Sequence, residues 1–118
     1  SFRLFNLECA ATGLSEKDAV AAGFSPVSNI TWGSAMAPAL GMRKIGLKLT
    51  ADKSSGRLLG AQAVGVAGAV GRINALSVAL WAEMNLDQVG YLDLAYAPPF
   101  SPAWDIIHNA AQALGRSL

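Results

Sequence analysis

Charge is the scarcest ingredient of this chain. Acidic and basic side chains make up 14% of its 118 residues, nine basic against eight acidic, for a net charge of +1. An ordinary globular domain carries about 25%. Neither sign is clustered, so the basic stripe that nucleic acid requires is missing and a nucleic-acid partner is excluded. The single cysteine, Cys9, rules out an intrachain disulfide framework and a redox dithiol within the chain, and fits a reducing, cytoplasmic compartment. The single histidine, His108, has no second His, no Cys and no suitably placed carboxylate to join it in a metal site. Long hydrophobic runs are absent too. The best window, residues 58–82, is interrupted by Gln62, Arg72 and Asn74 and falls short of the ~18 clean apolar residues of a membrane span. The start, SFRLFNLECA, has no basic region followed by an apolar one, as a signal peptide would.

What is abundant is apolar: 53% of the residues. A chain of this length reads as one domain, residues 1–118, with a sizeable core. It has too few charges to coat its surface. With a membrane excluded, that surplus points to a large buried interface, and so to self-association.

The pattern along the chain gives an α+β sandwich in the order β-α-β-β-β-α-α, a mainly antiparallel sheet with helices on one face. Residues 2–11 read as one strand, with Phe5, Leu7 and Cys9 alternating against polar neighbours. TGLSEKDAVAAG gives a short helix, with Ser15 and Asp18 at capping-box spacing and Gly23 closing the end. Residues 24–32 alternate again, and Pro26 marks an edge strand or a late start. The uncharged loop 33–42 follows. KIGLKLTADKSSGRLLGAQAVG reads as a hairpin turning at Gly56. RINALSVALWAEM is a helix apolar nearly all round, a pattern expected to be buried on more than one side. A short turn over 86–91 and a last helix from about 103 to 114 complete the domain.

Few motifs carry chemistry. Gly65, Gly68 and Gly71 in VGVAGAVG miss the G-x-G-x-x-G spacing of a dinucleotide loop, and no ribose-binding acid follows; the stretch reads as a tight strand-to-helix connection. Ser34 and Ser101 lack a nucleophile-elbow context. Cys9, alternating in a strand, reads as a buried inert thiol. Asp105, near a helix start, reads as a dipole partner. A lone His108 is most often structural. No nucleophile–base pair or cofactor cradle emerges.

One segment resists this bland accounting. LDLAYAPPFSPAW, residues 92–104, holds three prolines and a cluster of aromatics outside any helix or strand. A segment so stiff and apolar covers something: its own core, a ligand or another chain. Tyr96 is the one polar group stationed inside its apolar stretch, either a hydrogen-bonding group or a ring packed on the core.

Together, FRLFNLECAATGLSEKDAVAAGF, GRLLGAQAVG and LDLAYAPPFSPAWDIIHNAA resemble the C-terminal dimerisation domain of the FAD-dependent pyridine nucleotide–disulfide oxidoreductases. The likeness is to the branch holding NADH oxidases, NADH peroxidases and coenzyme A-disulfide reductases, and it covers nearly the whole chain. It implies a homodimer, with FAD and NAD(P)H held by upstream domains absent from these 118 residues, and no cofactor bound by this chain alone. In such enzymes hydride passes from nicotinamide to FAD and on to a cysteine-based centre, which lies upstream and is not Cys9. The resemblance further implies that the C-terminal segment reaches the partner's flavin. Tyr96 would sit near a substrate thiol in trans, and the backbone of Ala97 and Pro98 would lie near the flavin ring. Where histidine-relayed relatives carry His-Pro, this chain reads Ala97-Pro98. Where coenzyme A-disulfide reductases often carry Tyr-Tyr-Pro-Gly, it reads Pro38-Ala39-Leu40-Gly41, so a second supporting tyrosine is missing. The rival expectation is a free-standing small-molecule binding module, with the stiff segment and loop 33–42 lining a pocket. A hydrolase built on Ser101 and His108 ranks last.

Overall fold

The computed structural model describes residues 1–118. Five strands form one antiparallel sheet: β1 (Phe2–Leu4), β2 (Leu7–Gly13), β3 (Pro26–Ser34), β4 (Lys44–Asp52) and β5 (Leu58–Gly65). Their spatial order is β1-β2-β5-β4-β3. Four α-helices accompany them: α1 (Glu16–Ala21), α2 (Ala69–Trp81), α3 (Leu86–Val89) and α4 (Ile106–Gly115). The α+β sandwich expected from the pattern is the observed architecture.

Alternation explains the layers. Cross-strand partners Asn29–Leu49, Thr31–Leu47, Leu49–Ala61, Leu47–Ala63 and Ala10–Ala63 stand on one sheet face. That face takes α2, mainly over β2 and β5, and α4, mainly over β3 and β4. Ile45, Leu47, Leu49, Leu58, Leu76, Ile106, Ile107 and Leu114 are fully buried there. Each contributes about 1.5–3 kcal/mol relative to staying in water. The alternate positions Cys9, Ala11, Ile30, Trp32, Gly46, Lys48, Gln62 and Val64 form the outer face. Its far end is closed by α1, where Lys48 Nζ pairs with Glu16 Oε1 at 2.7 Å. Hydrogen bonding to Lys48 comes first, then to Ser28, in holding the Glu16 carboxyl below its ordinary pKa.

Local signals were obeyed closely. Ser15 Oγ accepts from the Asp18 amide at 3.1 Å and caps α1. The hairpin bends at Gly56, φ +70°, in the left-handed region that glycine enters without strain. β3 starts at Pro26 and runs along the sheet edge, both features that proline imposes.

Three expectations need correction. Residues 2–11 are a hairpin, β1 with β2, not one strand: Phe5 takes φ 54° and turns the chain, and Leu4 pairs with Leu7. The helix apolar all round buries only one side. Ala69, Ile73, Leu76 and Ala79 meet the sheet, while Val78 and Trp81 face out at 68% and 90% exposure. The last helix begins at Ile106, three residues late, because the Asp105 carboxylate caps the Ile107 amide at 3.0 Å and fixes the start there.

Candidate functional site

The segment between α3 and α4 lies over the helix layer, away from the outer sheet face. Asn85 and Gln88 form a reciprocal capping box that ends the preceding loop and starts α3. Beyond α3, Gln112 Nε2 donates to Gly90 O at 2.9 Å, tying the exit of α3 to α4. Leu92 and Leu94 then pack partly onto the core. The aromatics do the opposite: Tyr91, Tyr96, Phe100 and Trp104 are 70%, 55%, 75% and 54% exposed. The segment's rings therefore present apolar surface outward instead of roofing their own core.

Exposed rings on a mobile loop would make a poor binding surface, but this one is pinned. Arg72, on α2, donates from Nε and Nη2 to the two carboxylate oxygens of Asp105 at 3.0 and 2.7 Å. The same guanidinium donates to Gly68 O at 3.1 Å, Ala35 O at 3.3 Å and Phe100 O at 3.5 Å. One planar fork thus ties α2, the loop after β3 and the aromatic segment to the start of α4. The Ala37 amide adds a bond to Pro98 O at 2.9 Å. His108 receives the Asp105 amide on Nδ1 at 3.0 Å, and its Nε2 lies 2.7 Å from Leu92 O. Trp104 stands edge-on to both His108 and Tyr91, with ring centroids 5.5 and 6.3 Å away.

Of the residues singled out in the sequence, Tyr96 stands on this pinned surface. It borders a shallow cavity of about 310 Å³ that it shares with Tyr91, Leu94, Trp104 and His108. Ala97 and Pro98 follow in a tight turn. Ala97 O accepts from the Phe100 and Ser101 amides at 2.9 and 3.1 Å, and Pro98 O is taken by Ala37. Both carbonyls are engaged inside the chain, so the outward face of this turn is apolar.

Other candidates are not brought together. Both His108 nitrogens are taken by backbone groups and Ser101 is buried, which disposes of a serine–histidine pair. Ser34 Oγ accepts the Arg43 and Met36 amides at 3.1 and 3.4 Å and serves its own loop. No group of three or more His, Cys, Asp or Glu side chains gathers where a metal ion could sit. Cys9 is half-buried, not buried, because its position in the alternation is on the outer sheet face. Loop 33–42 touches the stiff segment through one backbone bond, Ala37 N to Pro98 O, and contributes no residue to the cavity that Tyr96 borders. Asp105 proves to be more than a dipole partner: it caps α4 and anchors Arg72.

One helix terminus bears directly on the phosphate-binding loop weighed in the sequence. At the start of α2, where a phosphate-binding loop would present its amides, the Glu8 carboxylate already accepts from Ala69 N at 3.0 Å and Val70 N at 3.4 Å. A second anion there would meet a negative charge. These residues do not fit the pyrophosphate of FAD or of a nicotinamide cofactor. Sequence reading missed a further feature, an apolar groove of about 420 Å³ on the outer sheet face, bordered by Phe2, Cys9, Ile30, Trp32 and Val64. Alternation implied its members singly; only the sheet order assembles them.

Residues 1–107 match the family model described as the dimerisation domain of pyridine nucleotide-disulphide oxidoreductases. The chain belongs to this family. Among the curated relatives of this dimerisation domain is the NAD(P)H sulfur oxidoreductase (CoA-dependent) of Pyrococcus furiosus. It is 36% identical over 113 residues, covering 95% of this chain and 25% of the relative. The NAD(P)H coenzyme A polysulfide/persulfide reductase of Pyrococcus horikoshii is 34% identical with the same coverage, 95% and 25%. Among solved structures, the NAD-dependent persulfide reductase from A. fulgidus superposes with a TM-score of 0.93 at 38% identity, over 98% of this chain and 22% of that one. The domain thus spans about a quarter of the length of the relatives it matches.

Proposed function

We propose that this domain serves a larger FAD- and NAD(P)H-dependent oxidoreductase, pairing two subunits and completing the partner's active site with the segment 92–104. The observation that carries the reading is the exposed aromatic surface of Tyr91, Tyr96, Phe100 and Trp104 on a backbone fixed by Arg72, Asp105 and His108. A surface ordered before it meets its partner loses little conformational entropy on docking, and aromatic anchors are the residues that concentrate binding energy. Within that surface Tyr96 brings an O–H that donates a hydrogen bond to a thiolate forming on the substrate in trans. Ala97 and Pro98 supply an apolar wall beside the partner's flavin. In this reading the cofactors are held by other domains of the larger enzyme, which accords with an α2 N-terminus already taken by Glu8. Relatives named for sulfur, persulfide and coenzyme A-disulfide reduction support a sulfur-containing substrate. A cytoplasmic location accords with that reductive chemistry.

The test is sedimentation equilibrium of the chain over a wide concentration range, with two variants on opposite faces. Phe100→Glu, on the aromatic segment, weakens self-association at least tenfold, roughly the 1.4 kcal/mol or more that a lost anchor costs. Ile30→Glu, on the outer sheet face, leaves it unchanged. A chain that stays monomeric at every concentration overturns the reading. The free-standing small-molecule module then replaces it, with the 420 Å³ groove as its site.

A further inference from the structure

The histidine that sequence reading leaves without a chemical role is placed to govern the segment that carries the function. We infer that His108, held as its Nε2–H tautomer, is the positioning residue for the stretch 92–105 and thereby sets where Tyr96 stands. The functional half of this inference rests on the role proposed for Tyr96; the structural half does not.

Hydrogen-bond chemistry fixes the tautomer without any appeal to titration. The group facing Nδ1 at 3.0 Å is the backbone N–H of Asp105, which can only donate, so Nδ1 must carry its lone pair. The proton of the neutral ring then sits on Nε2 and is donated to the Leu92 carbonyl at 2.7 Å. The other tautomer loses both bonds at once, setting N–H against N–H at one end and lone pair against carbonyl at the other. The ring is buried, 6% exposed, so neither loss would be made good by water.

The two backbone groups it joins are the two ends of the segment. Leu92 begins it, Asp105 ends it, and one imidazole spans them, while Trp104 stands edge-on beside the ring. The interior of the segment has few other restraints. The prolines at 98, 99 and 102 offer no amide, and between Leu94 and Trp104 the bonds begin only at Ala97: Ala97 O with Phe100 N and Ser101 N, Pro98 O with Ala37 N, Phe100 O with Arg72. On the N-terminal side, Leu94 N bonds Leu92 O at 3.0 Å, and that same carbonyl is the one His108 holds. Tyr96 therefore stands between two hydrogen-bonded anchors, the Ala97–Pro98 turn behind it and the His108–Leu92 bond before it, with Leu94 packed partly onto the core between Leu92 and Tyr96. Only the second depends on a single side chain.

Two variants separate positioning from packing. His108→Leu keeps apolar bulk and keeps neither bond. His108→Gln, at the third position of α4, can accept from the Asp105 amide through its carbonyl and donate to Leu92 O through its NH2. Imidazole ¹⁵N spectra of the native chain are expected to show one neutral tautomer with the proton on Nε2. Exchange of the Leu94 amide, bonded to Leu92 O, and of the Asp105 amide, bonded to His108 Nδ1, is expected to accelerate about tenfold or more in His108→Leu and to return near the native rate in His108→Gln, with β4 amides protected in all three proteins. A native ring carrying its proton on Nδ1 overturns the inference, and does so even if the leucine variant fails to fold. So does unchanged exchange in His108→Leu, or a glutamine variant no better than leucine. These readouts do not involve Tyr96 chemistry. If the clasp is found but Tyr96 proves dispensable for turnover, the chemical role proposed for Tyr96 falls and the clasp remains.

Discussion

Arg72 and Asp105, 33 residues apart, meet as a two-pronged ion pair with both side chains about nine-tenths buried. Each prong is short, and the remaining donors of the guanidinium go to the carbonyls of Gly68, Ala35 and Phe100. A pair so enclosed adds little net stability relative to apolar residues, but losing one member strands the other's charge in the interior. Arg72→Met is expected to destabilise the domain by about 3–5 kcal/mol, a large share of the roughly 5–15 kcal/mol of a typical domain. Urea unfolding measures it, and Arg72→Met with Asp105→Asn together should cost less than the two singly. Simple additivity would mean that the two side chains do not depend on each other.

Two glycines should respond to alanine with opposite sign. At Gly60 an added methyl would run into the backbone carbonyl of Leu14, which cannot swing aside. Gly60→Ala is expected to cost about 1–3 kcal/mol or more through forced backbone movement. At Gly71, in the first turn of α2, nothing lies within reach of the new methyl. There alanine is expected to stabilise by roughly 0.5–1 kcal/mol, because glycine surrenders more backbone freedom on entering a helix. Thermal melts of the two variants against the native chain decide both signs.

How much of this was legible beforehand follows from the range of each interaction. Alternation and turn chemistry are local, so the hairpin at Gly56, the cap at Ser15 and the edge strand at Pro26 could be read from neighbouring residues. The turn at Phe5 could not, because a phenylalanine at positive φ carries no turn signal of its own and is dictated by the pairing of β1 with β2. Helix α2 misled for a related reason. Periodicity shows how apolar a face is and not whether anything covers it, and Val78 and Trp81 lie on the uncovered side. At the site, the stiffness and the aromatics of 92–104 were plain. The clamp that fixes them was not, since Arg72, Ala35, Leu92 and Asp105 come together only when α2, the loop after β3 and α4 are packed.

Asp52 gives the domain an acid limit. Its carboxylate accepts from the hydroxyls of Ser55 and Ser54 at 2.6 and 2.7 Å, and from the Ser25 and Ser55 amides, each at 3.1 Å. The Ser55 hydroxyl, then that of Ser54, then the Ser25 amide hold its pKa far below the ordinary 3.8. A carboxylate with its pKa depressed on folding stabilises fully above the unfolded value and loses that stabilisation as the pH falls through the folded one. The melting temperature of the native chain is therefore expected to hold through mildly acidic pH and to fall as the solution passes below 3.8. In Asp52→Asn the starting value is lower and the acid-side fall is shallower. Parallel acid curves for the two proteins would remove Asp52 from this role.

Tyr96→Phe tests the proposed chemistry with the smallest change available, one oxygen removed from a ring 55% exposed. The ring's packing survives, and the bonds that pin the segment run through His108, Arg72 and Ala37 instead, so dimerisation and the fold are expected to be untouched. If the hydroxyl donates to a developing thiolate, the loss falls on kcat, since that bond is made only as charge builds. A hydrogen bond to a charged group is worth about 1.5–3 kcal/mol, so turnover in the full-length enzyme should drop on the order of ten- to a hundredfold with KM little changed. A rise in KM at constant kcat would instead make Tyr96 a binding contact. Unchanged kinetics would reduce it to one more ring on an aromatic docking surface, leaving subunit pairing as the segment's whole purpose.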